Sequence, residues 1–145
     1  MRMSVMTEDR LYEDIKNSFS LKEVDIRTYS PLSLAYIGDS IYDLIIRTYV
    51  VGKGNVPNKK LHKETVKYVS AVAQSQIVDK IKEDLSEEEK DIYKRGKNSK
   101  PSSMAKNATA KEYLKATGFE ALLGYLYLQG RMDRAIELIK KGTGL

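Results

Sequence analysis

The sequence predicts a single all-α domain of five to seven helices spanning residues 1–145. Apolar residues recur at helical spacing along nearly the whole chain, and no stretch alternates in the manner of a β-strand. Helix-capping signals separate the periodic segments. No repeat, low-complexity tract or long linker divides the chain, and its length suffices for one domain with its own core.

The first predicted helix covers residues 6–19, where Leu11, Ile15 and Phe19 are spaced four residues apart and form an apolar stripe. Residues 21–30 lose this periodicity. We therefore expect a short amphipathic helix followed by a connector.

The second predicted helix begins at Ser30 and Pro31, because serine is a good N-cap and proline suits the first helical turn. It runs to about Val51. Gly52 occupies the place of a C-terminal glycine cap and opens a loop, residues 52–60.

A long third helix is expected from about Asn58 to Leu85. Its apolar positions are Leu61, Val69, Val72, Ala73, Ile77 and Ile81. Ser86 and Glu89 then form a capping box for the next helix, which fades within the segment KRGKNSKPSS.

A second capping box, Thr109 with Glu112, opens the apolar helix AKEYLKATGFEALLGYLYLQ. Gly130 closes that helix. The last segment, RMDRAIELIKK, predicts a short amphipathic helix that Gly142 stops.

Composition excludes several classes of protein. With 41% apolar and 31% charged residues the chain is globular rather than disordered. It contains no cysteine and a single histidine, His62, so disulfides and structural zinc sites are ruled out. It carries no common phosphate-binding loop, secretory signal or membrane-spanning run, and we expect a cytoplasmic location.

Two carboxylates stand among apolar residues, Asp39 in AYIGDSIYDL and Glu120 in ATGFEALLGYLYL. Asp43 has a simple salt-bridge partner in Arg47, four residues on. A carboxylate on an apolar helix needs a partner, because an unpaired buried charge is very costly. That partner is either a lysine or a helix N-terminus, or it is a hard divalent cation such as Mg²⁺.

Glycines accompany both acids: Gly38 precedes Asp39, and Gly118 and Gly124 flank Glu120. Since glycine allows close backbone approach, the two apolar helices could cross tightly and bring the acids together. The alternative is a pair of core helices whose acids reach solvent at the rim.

The net charge of +5 is concentrated between residues 93 and 115, which hold one acid, Glu112. The basic residues are Lys94, Arg95, Lys97, Lys100, Lys106, Lys111 and Lys115. Interspersed asparagines and serines make this segment a candidate phosphate-contact surface, with a solvated charge run as the alternative.

The segments LAYIGDSIYDLII and ATGFEALLGYLYL resemble the two catalytic helices of ribonuclease III nuclease domains. The first resembles the signature helix, with its glycine-aspartate-serine core, and a basic loop precedes the second as in the family. The similarity covers essentially the whole chain and is greatest to Mini-ribonuclease III, the bacterial form without a double-stranded-RNA-binding domain.

The resemblance implies an all-α homodimer that cleaves double-stranded RNA in a valley along its dimer interface. Asp39 and Glu120 match the family's catalytic metal ligands, with Mg²⁺ as the cofactor and Mn²⁺ as a substitute. The implied reaction leaves 5′-phosphate and 3′-hydroxyl ends. The implied substrate is the large-subunit (23S) ribosomal RNA precursor, with a large-subunit ribosomal protein or the pre-ribosome as a further partner.

In this setting the basic segment is assigned to RNA binding. The residues concerned are Arg95, Lys97, Asn98, Lys100 and Lys106. We expect the stretch KRGKNSKPSSMAKN to be a mobile loop that orders against the duplex, because its proline, glycine and serines disfavour a rigid helix.

The sequence departs from the full-length family at two acidic positions, which are Ala35 and Thr117 here. Both positions face the expected site by i,i+4 and i,i+3 geometry. The halved acid count fits the Mini subgroup. It also leaves open a non-catalytic alternative, an all-helical RNA-binding or ribosome-assembly factor on the same scaffold.

Overall fold

The structure, a computed structural model, describes residues 10–99 and 109–145. Within these ranges the chain forms seven α-helices and two single-turn 3₁₀ helices (Ile26–Thr28 and Lys82–Asp84), and no β-strand. The helices are α1 (Leu11–Ser18), α2 (Pro31–Gly52), α3 (Asn58–Val69), α4 (Ala71–Ile81), α5 (Glu87–Lys97), α6 (Ala110–Leu128) and α7 (Met132–Thr143). The predicted all-α class is confirmed.

Helix α6 is the centre of the fold, and every residue from Ala121 to Tyr127 is buried. Helices α2, α4, α5 and α7 all pack against it. The main core lies between α2, α4, α6 and α7, and a smaller one lies between α2, α5 and α6. From Ala116 onward α6 is apolar on nearly all of its faces, and such a segment has to be enclosed by other helices.

The predicted starts of three helices are confirmed by their caps. The Ser30 side chain accepts a hydrogen bond from the Ser33 backbone at the start of α2, where Pro31 occupies the first turn. The capping boxes that open α5 and α6 are both complete. These bonds satisfy backbone N–H groups that a helix start leaves without a partner.

The predicted long helix from Asn58 to Leu85 is wrong, because the chain breaks at Ser70. This residue has extended backbone angles (φ −65°, ψ 156°), and its side chain caps α4 through the Ala73 backbone at 3.1 Å. Serine competes for helical backbone groups and so favours a cap over a helix interior. The break leaves carbonyls at the end of α3 free, and the Tyr42 hydroxyl donates to one of them, that of Tyr68, at 2.7 Å.

Two predicted helix ends also move. Helix α2 includes Gly52, and the positive φ of +146° falls at Gly54. Helix α7 continues to Thr143 and is capped by Gly144 with φ +76°. Gly142 lies inside α7 instead, where an added Cβ would be 2.3 Å from the Ile77 side chain. Close packing on α4 therefore explains this glycine.

Helix α1 forms as predicted within the described residues, but it buries no residue completely. It packs inward through Tyr12, whose ring meets that of Tyr127 edge-on at 5.5 Å. The predicted stripe of Leu11, Ile15 and Phe19 is exposed. Within the described ranges no helix combines the length and apolar composition needed to cross a membrane.

Helices α2 and α6 cross with their backbones in contact. A Cβ added at Gly38 would lie 1.7 Å from the backbone oxygen of Glu120, and one added at Gly124 would lie 2.0 Å from the backbone oxygen of Leu34. Both distances are far inside van der Waals contact, so only glycine fits at either position. The tight crossing considered from the sequence is thus present.

We predict that Gly38→Ala destabilises the protein by about 1–3 kcal/mol or more, because the methyl group meets a backbone atom that cannot move aside. Gly52→Ala is the matched control in the same helix, since nothing lies within 4 Å of its added Cβ. We expect Gly52→Ala to be neutral or stabilising by up to about 1 kcal/mol. Urea unfolding of both variants checks this, and equal midpoints would contradict it.

Candidate active site

The helix crossing determines where the two candidate acids lie. Asp39 follows Gly38 directly, and the backbone of Glu120 is the surface that Gly38 touches. The two carboxylates therefore share one open cleft of about 400 Å³, in which Asp39 is exposed and Glu120 is largely buried. The alternative, in which the acids reach solvent separately at the rim, does not apply.

The ionised form of the Glu120 carboxyl group is disfavoured by its surroundings. Burial is the main cause that raises its pKa to about 8, and the charge of Asp39 and a hydrogen bond with it act in the same direction. A hydrogen bond from Gln74 acts in the opposite direction. Two acids held together in a half-buried cleft are typical of sites that bind cations.

The donor set fits one hard divalent cation. Asp39 and Glu120 supply carboxylate oxygens, and Mg²⁺ commonly takes one or two protein carboxylates while keeping several waters. In the described ranges no group of three or more acidic, histidine or cysteine side chains could hold a metal ion. The cleft has room for water and a phosphate group beside the two acids.

Ala35 and Thr117, where the full-length family carries acids, line the same cleft as predicted. Ala35 has no donor atom. The Thr117 hydroxyl donates to the backbone oxygen of Tyr113 at 3.0 Å, so it is engaged within its own helix. Neither residue replaces the missing carboxylate.

Gln74 is a residue of this site that the sequence did not reveal. It lies in the first turn of α4, is 3% exposed, and donates from Nε2 to Glu120 Oε2 at 3.3 Å. The available signal was Ser70, whose capping chemistry would have started a helix there and placed Gln74 in its first turn. In one continuous helix from Asn58 to Leu85, Gln74 would have no helix start beside it.

The structure describes only part of the predicted RNA-binding segment. Residues 94–97 belong to α5, and the Asn98 and Ser99 backbones bond to its last turn, so the predicted loop is wrong there. The acidic first turn and basic last turn of α5 suit the helix dipole and favour this extension. Lys100 and Lys106 lie outside the described residues.

Arg95, Lys97 and Asn98 nevertheless lie at the end of α5 that packs against α6. Gly96 lies between Arg95 and Lys97, and its added Cβ would be 2.7 Å from the Ala121 side chain and 3.0 Å from the Gly118 backbone. This end of α5 therefore contacts the part of α6 that carries Glu120. Lys115, counted with the basic residues above, pairs with Asp79 at 2.5 Å.

The structure presents a second basic stretch besides residues 93–115. Residues 53–67 hold five lysines and one acid. The lysines are Lys53, Lys59, Lys60, Lys63 and Lys67, and all are exposed along the end of α2, the loop and α3.

The expected ion pair between Asp43 and Arg47 is present, with 2.9 Å between Arg47 Nε and Asp43 Oδ2.

We predict that Glu120→Gln stabilises the protein in metal-free buffer, increasingly so from pH 5 to pH 8. A folded-state pKa near 8, above the ordinary value of 4.5, means that stability is lost as pH rises through this range. The amide cannot ionise, so we expect a gain of about 1–3 kcal/mol at pH 8. Urea unfolding measures it.

The exposed Glu83 provides the control for the loss of one charge, and we expect Glu83→Gln to change stability at pH 8 far less than Glu120→Gln does. If the stability of Glu120→Gln varies with pH in parallel with that of the wild type, the pKa of Glu120 is not raised in the folded protein.

Comparison with known proteins agrees with this geometry. Residues 32–131, which include both acids, match the family model described as the ribonuclease III domain. Proteins named Mini-ribonuclease 3 are similar over most of their length. The relative from Thermoanaerobacter sp. is 48% identical, covering 87% of this chain and 89% of the relative, and that from Clostridium tetani is 45% identical, covering 80% and 78%.

A crystal structure of a Fusobacterium nucleatum protein has the same fold, with a TM-score of 0.74 and 39% identity over 81% of this chain and 94% of that one. The names of the relatives favour an enzyme over the non-catalytic alternative. The chain belongs to the ribonuclease III family, among the proteins named Mini-ribonuclease 3.

Proposed function

We propose that this endoribonuclease hydrolyses double-stranded RNA with a divalent cation, Mg²⁺ or Mn²⁺, held by Asp39 and Glu120. The observation that carries the proposal is the sharing of one cleft by these two carboxylates at the α2–α6 crossing. The dense packing around α6 supports it, since catalytic groups on rigid elements keep their geometry.

A bound divalent cation supplies charge neutralisation at the phosphate and activation of water. The protein supplies the rest of the arrangement: α2 presents Asp39 at the open side of the cleft, and α6 presents Glu120 from the core. Hydrolysis breaks the bond between phosphorus and O3′, leaving a 5′-phosphate and a 3′-hydroxyl group.

We further propose that the natural substrate is the 23S ribosomal RNA precursor where its ends pair into a duplex, with a ribosomal protein or the pre-ribosome as a partner. The family resemblance supports this assignment. Cleavage of a duplex built from those paired ends at one preferred position, against scattered cleavage of an unrelated duplex, is the expected result. Equal scatter on both would contradict it.

Asp39→Asn is predicted to lower kcat on long duplex RNA by at least about 10³-fold, because a site with two protein ligands loses half of its carboxylate charge. Duplex binding and the unfolding midpoint should stay near those of the wild type. The ion-paired acid of the same helix, Asp43, is the control, and Asp43→Asn should retain activity. Cleavage by Asp39→Asn at the wild-type rate would remove the assignment of the metal site.

Neutralising Arg95, Lys97 and Lys106 together is predicted to weaken duplex binding and to flatten its salt dependence by about one unit of slope per lost phosphate contact. KM should rise more than kcat falls, since the catalytic acids remain. The control replaces the exposed Lys22, Lys90 and Lys140 with the same loss of charge. Unchanged binding would contradict this assignment and would favour the lysines of residues 53–67 as the duplex contact.

We also propose that the chain acts as a homodimer, so that two sites cut the two strands of a duplex. Exposed apolar side chains support an interface: the stripe of α1, and Leu32 and Tyr36 beside the cleft, where Tyr36 is 82% exposed. Light scattering should give about twice the chain mass of 16.5 kDa. A 16.5 kDa particle at micromolar concentration would contradict the dimer.

A further inference from the structure

Gln74 is a buried amide that connects the break between α3 and α4 to the candidate active site. Its Nε2 atom donates two hydrogen bonds, one to the backbone oxygen of Val69 at 3.0 Å and one to Glu120 Oε2 at 3.3 Å. One side chain thus joins a helix end to a carboxylate of the cleft.

The partners fix which end of the amide faces Glu120. Both are pure acceptors when the carboxylate is ionised, and an amide NH₂ carries two donors. Facing the Val69 oxygen and the ionised Glu120 carboxylate that a cation would bind, a flipped amide would place its oxygen against two acceptors and lose both bonds. The bonding pattern therefore leaves a single favourable orientation, in which the donor faces the carboxylate.

The anchor of Gln74 exists because the helix breaks. Helix α3 ends at Val69, and a helix end leaves its last carbonyls without partners in the helix. The extended Ser70 turns the chain, so that Gln74 in the first turn of α4 reaches back to the carbonyl of Val69. Close packing of Gly142 on Ile77, three residues further along, holds α4 against α7.

The buried amide carries a cost in stability. Its Oε1 atom is buried and has no hydrogen-bond partner among the residues that the structure describes. Such an orphaned group costs about 1–3 kcal/mol, whereas methionine would fill similar space without it. An unpaired buried oxygen is a local cost of the kind expected where the other end of the amide serves a functional group.

We propose that Gln74 is a positioning residue, which holds the Glu120 carboxylate in the orientation that cation binding requires. One Glu120 oxygen is bound to an anchored donor, so rotation of the carboxylate, which is otherwise a broad torsion, is restricted. Gln74 acts through Glu120 and need not touch the substrate. The inference rests on the proposed function of the site.

The test replaces Gln74 with methionine, which removes the donor and keeps the length of the side chain. Calorimetric titration of the RNA-free protein with Mn²⁺ is the first measurement, and kcat and KM on duplex RNA with Mg²⁺ are the second. We expect the Kd for Mn²⁺ to rise by about 10–100-fold, as for other partners of metal ligands. At subsaturating Mg²⁺, kcat should fall while KM for RNA stays constant.

Thr65→Val is the matched control. Thr65 is also buried, at 5% exposure, and its hydroxyl donates to the backbone oxygen of Leu61 at 2.9 Å, away from Glu120. This variant should bind Mn²⁺ as the wild type does. Gln74→Leu provides a second donor-free variant if Gln74→Met does not fold, and it carries the same expectation.

Wild-type Mn²⁺ affinity in both donor-free variants would overturn the inference and reduce Gln74 to a cap for the end of α3. Equal weakening by Thr65→Val would overturn it too, since general loosening would then be the cause. Failure of the wild-type chain to bind Mn²⁺ or to cleave duplex RNA would be a different result, which overturns the proposed function together with the inference.

Discussion

The backbone contact between α2 and α6 is the constraint on which the rest of the structure depends. Gly38 on α2 packs against the backbone of Glu120, and Gly124 on α6 packs against the backbone of Leu34. These backbone atoms cannot move aside for a larger side chain. An interior glycine lowers helix stability by about 1 kcal/mol relative to alanine. Here that cost allows an approach that no other residue permits, and the approach fixes the distance between two carboxylates carried by separate helices.

The same crossing explains why the candidate site lies on rigid elements rather than loops. Helix α6 is enclosed by four helices, so Glu120 comes from the core, and Asp39 follows the glycine that contacts it. Burial and the neighbouring carboxylate keep Glu120 strained, with its pKa near 8. The folded chain therefore holds together two acids that would repel each other if both were ionised, and a bound divalent cation would remove that repulsion.

Local chemistry made much of this fold predictable. Caps at Ser30, Ser86 and Thr109 define three helix starts, because they satisfy particular backbone groups within a few residues. The apolar setting of Asp39 and Glu120 identified the acids, and the adjacent glycines suggested how they could meet. Each of these signals is contained within one short segment.

The remaining features depend on contacts between distant segments. The break at Ser70 is stabilised by side chains from outside α3. Tyr42 and Gln74 donate hydrogen bonds to the backbone oxygens that the break leaves without a helical partner. Gly142 is explained by Ile77 on another helix and not by the end of its own. A capping serine and a glycine each have several local interpretations, and only tertiary packing selects among them.

The central claim, that the α2–α6 crossing builds a divalent-cation site from Asp39 and Glu120, is tested most directly by anomalous diffraction from crystals soaked in Mn²⁺. We predict one strong anomalous peak per chain, within about 2.5 Å of a carboxylate oxygen from each residue, and no such peak in Asp39→Asn crystals. A Mn²⁺ ion bound elsewhere, or an ordered cleft without a peak at millimolar Mn²⁺, would contradict a cation site at Asp39 and Glu120.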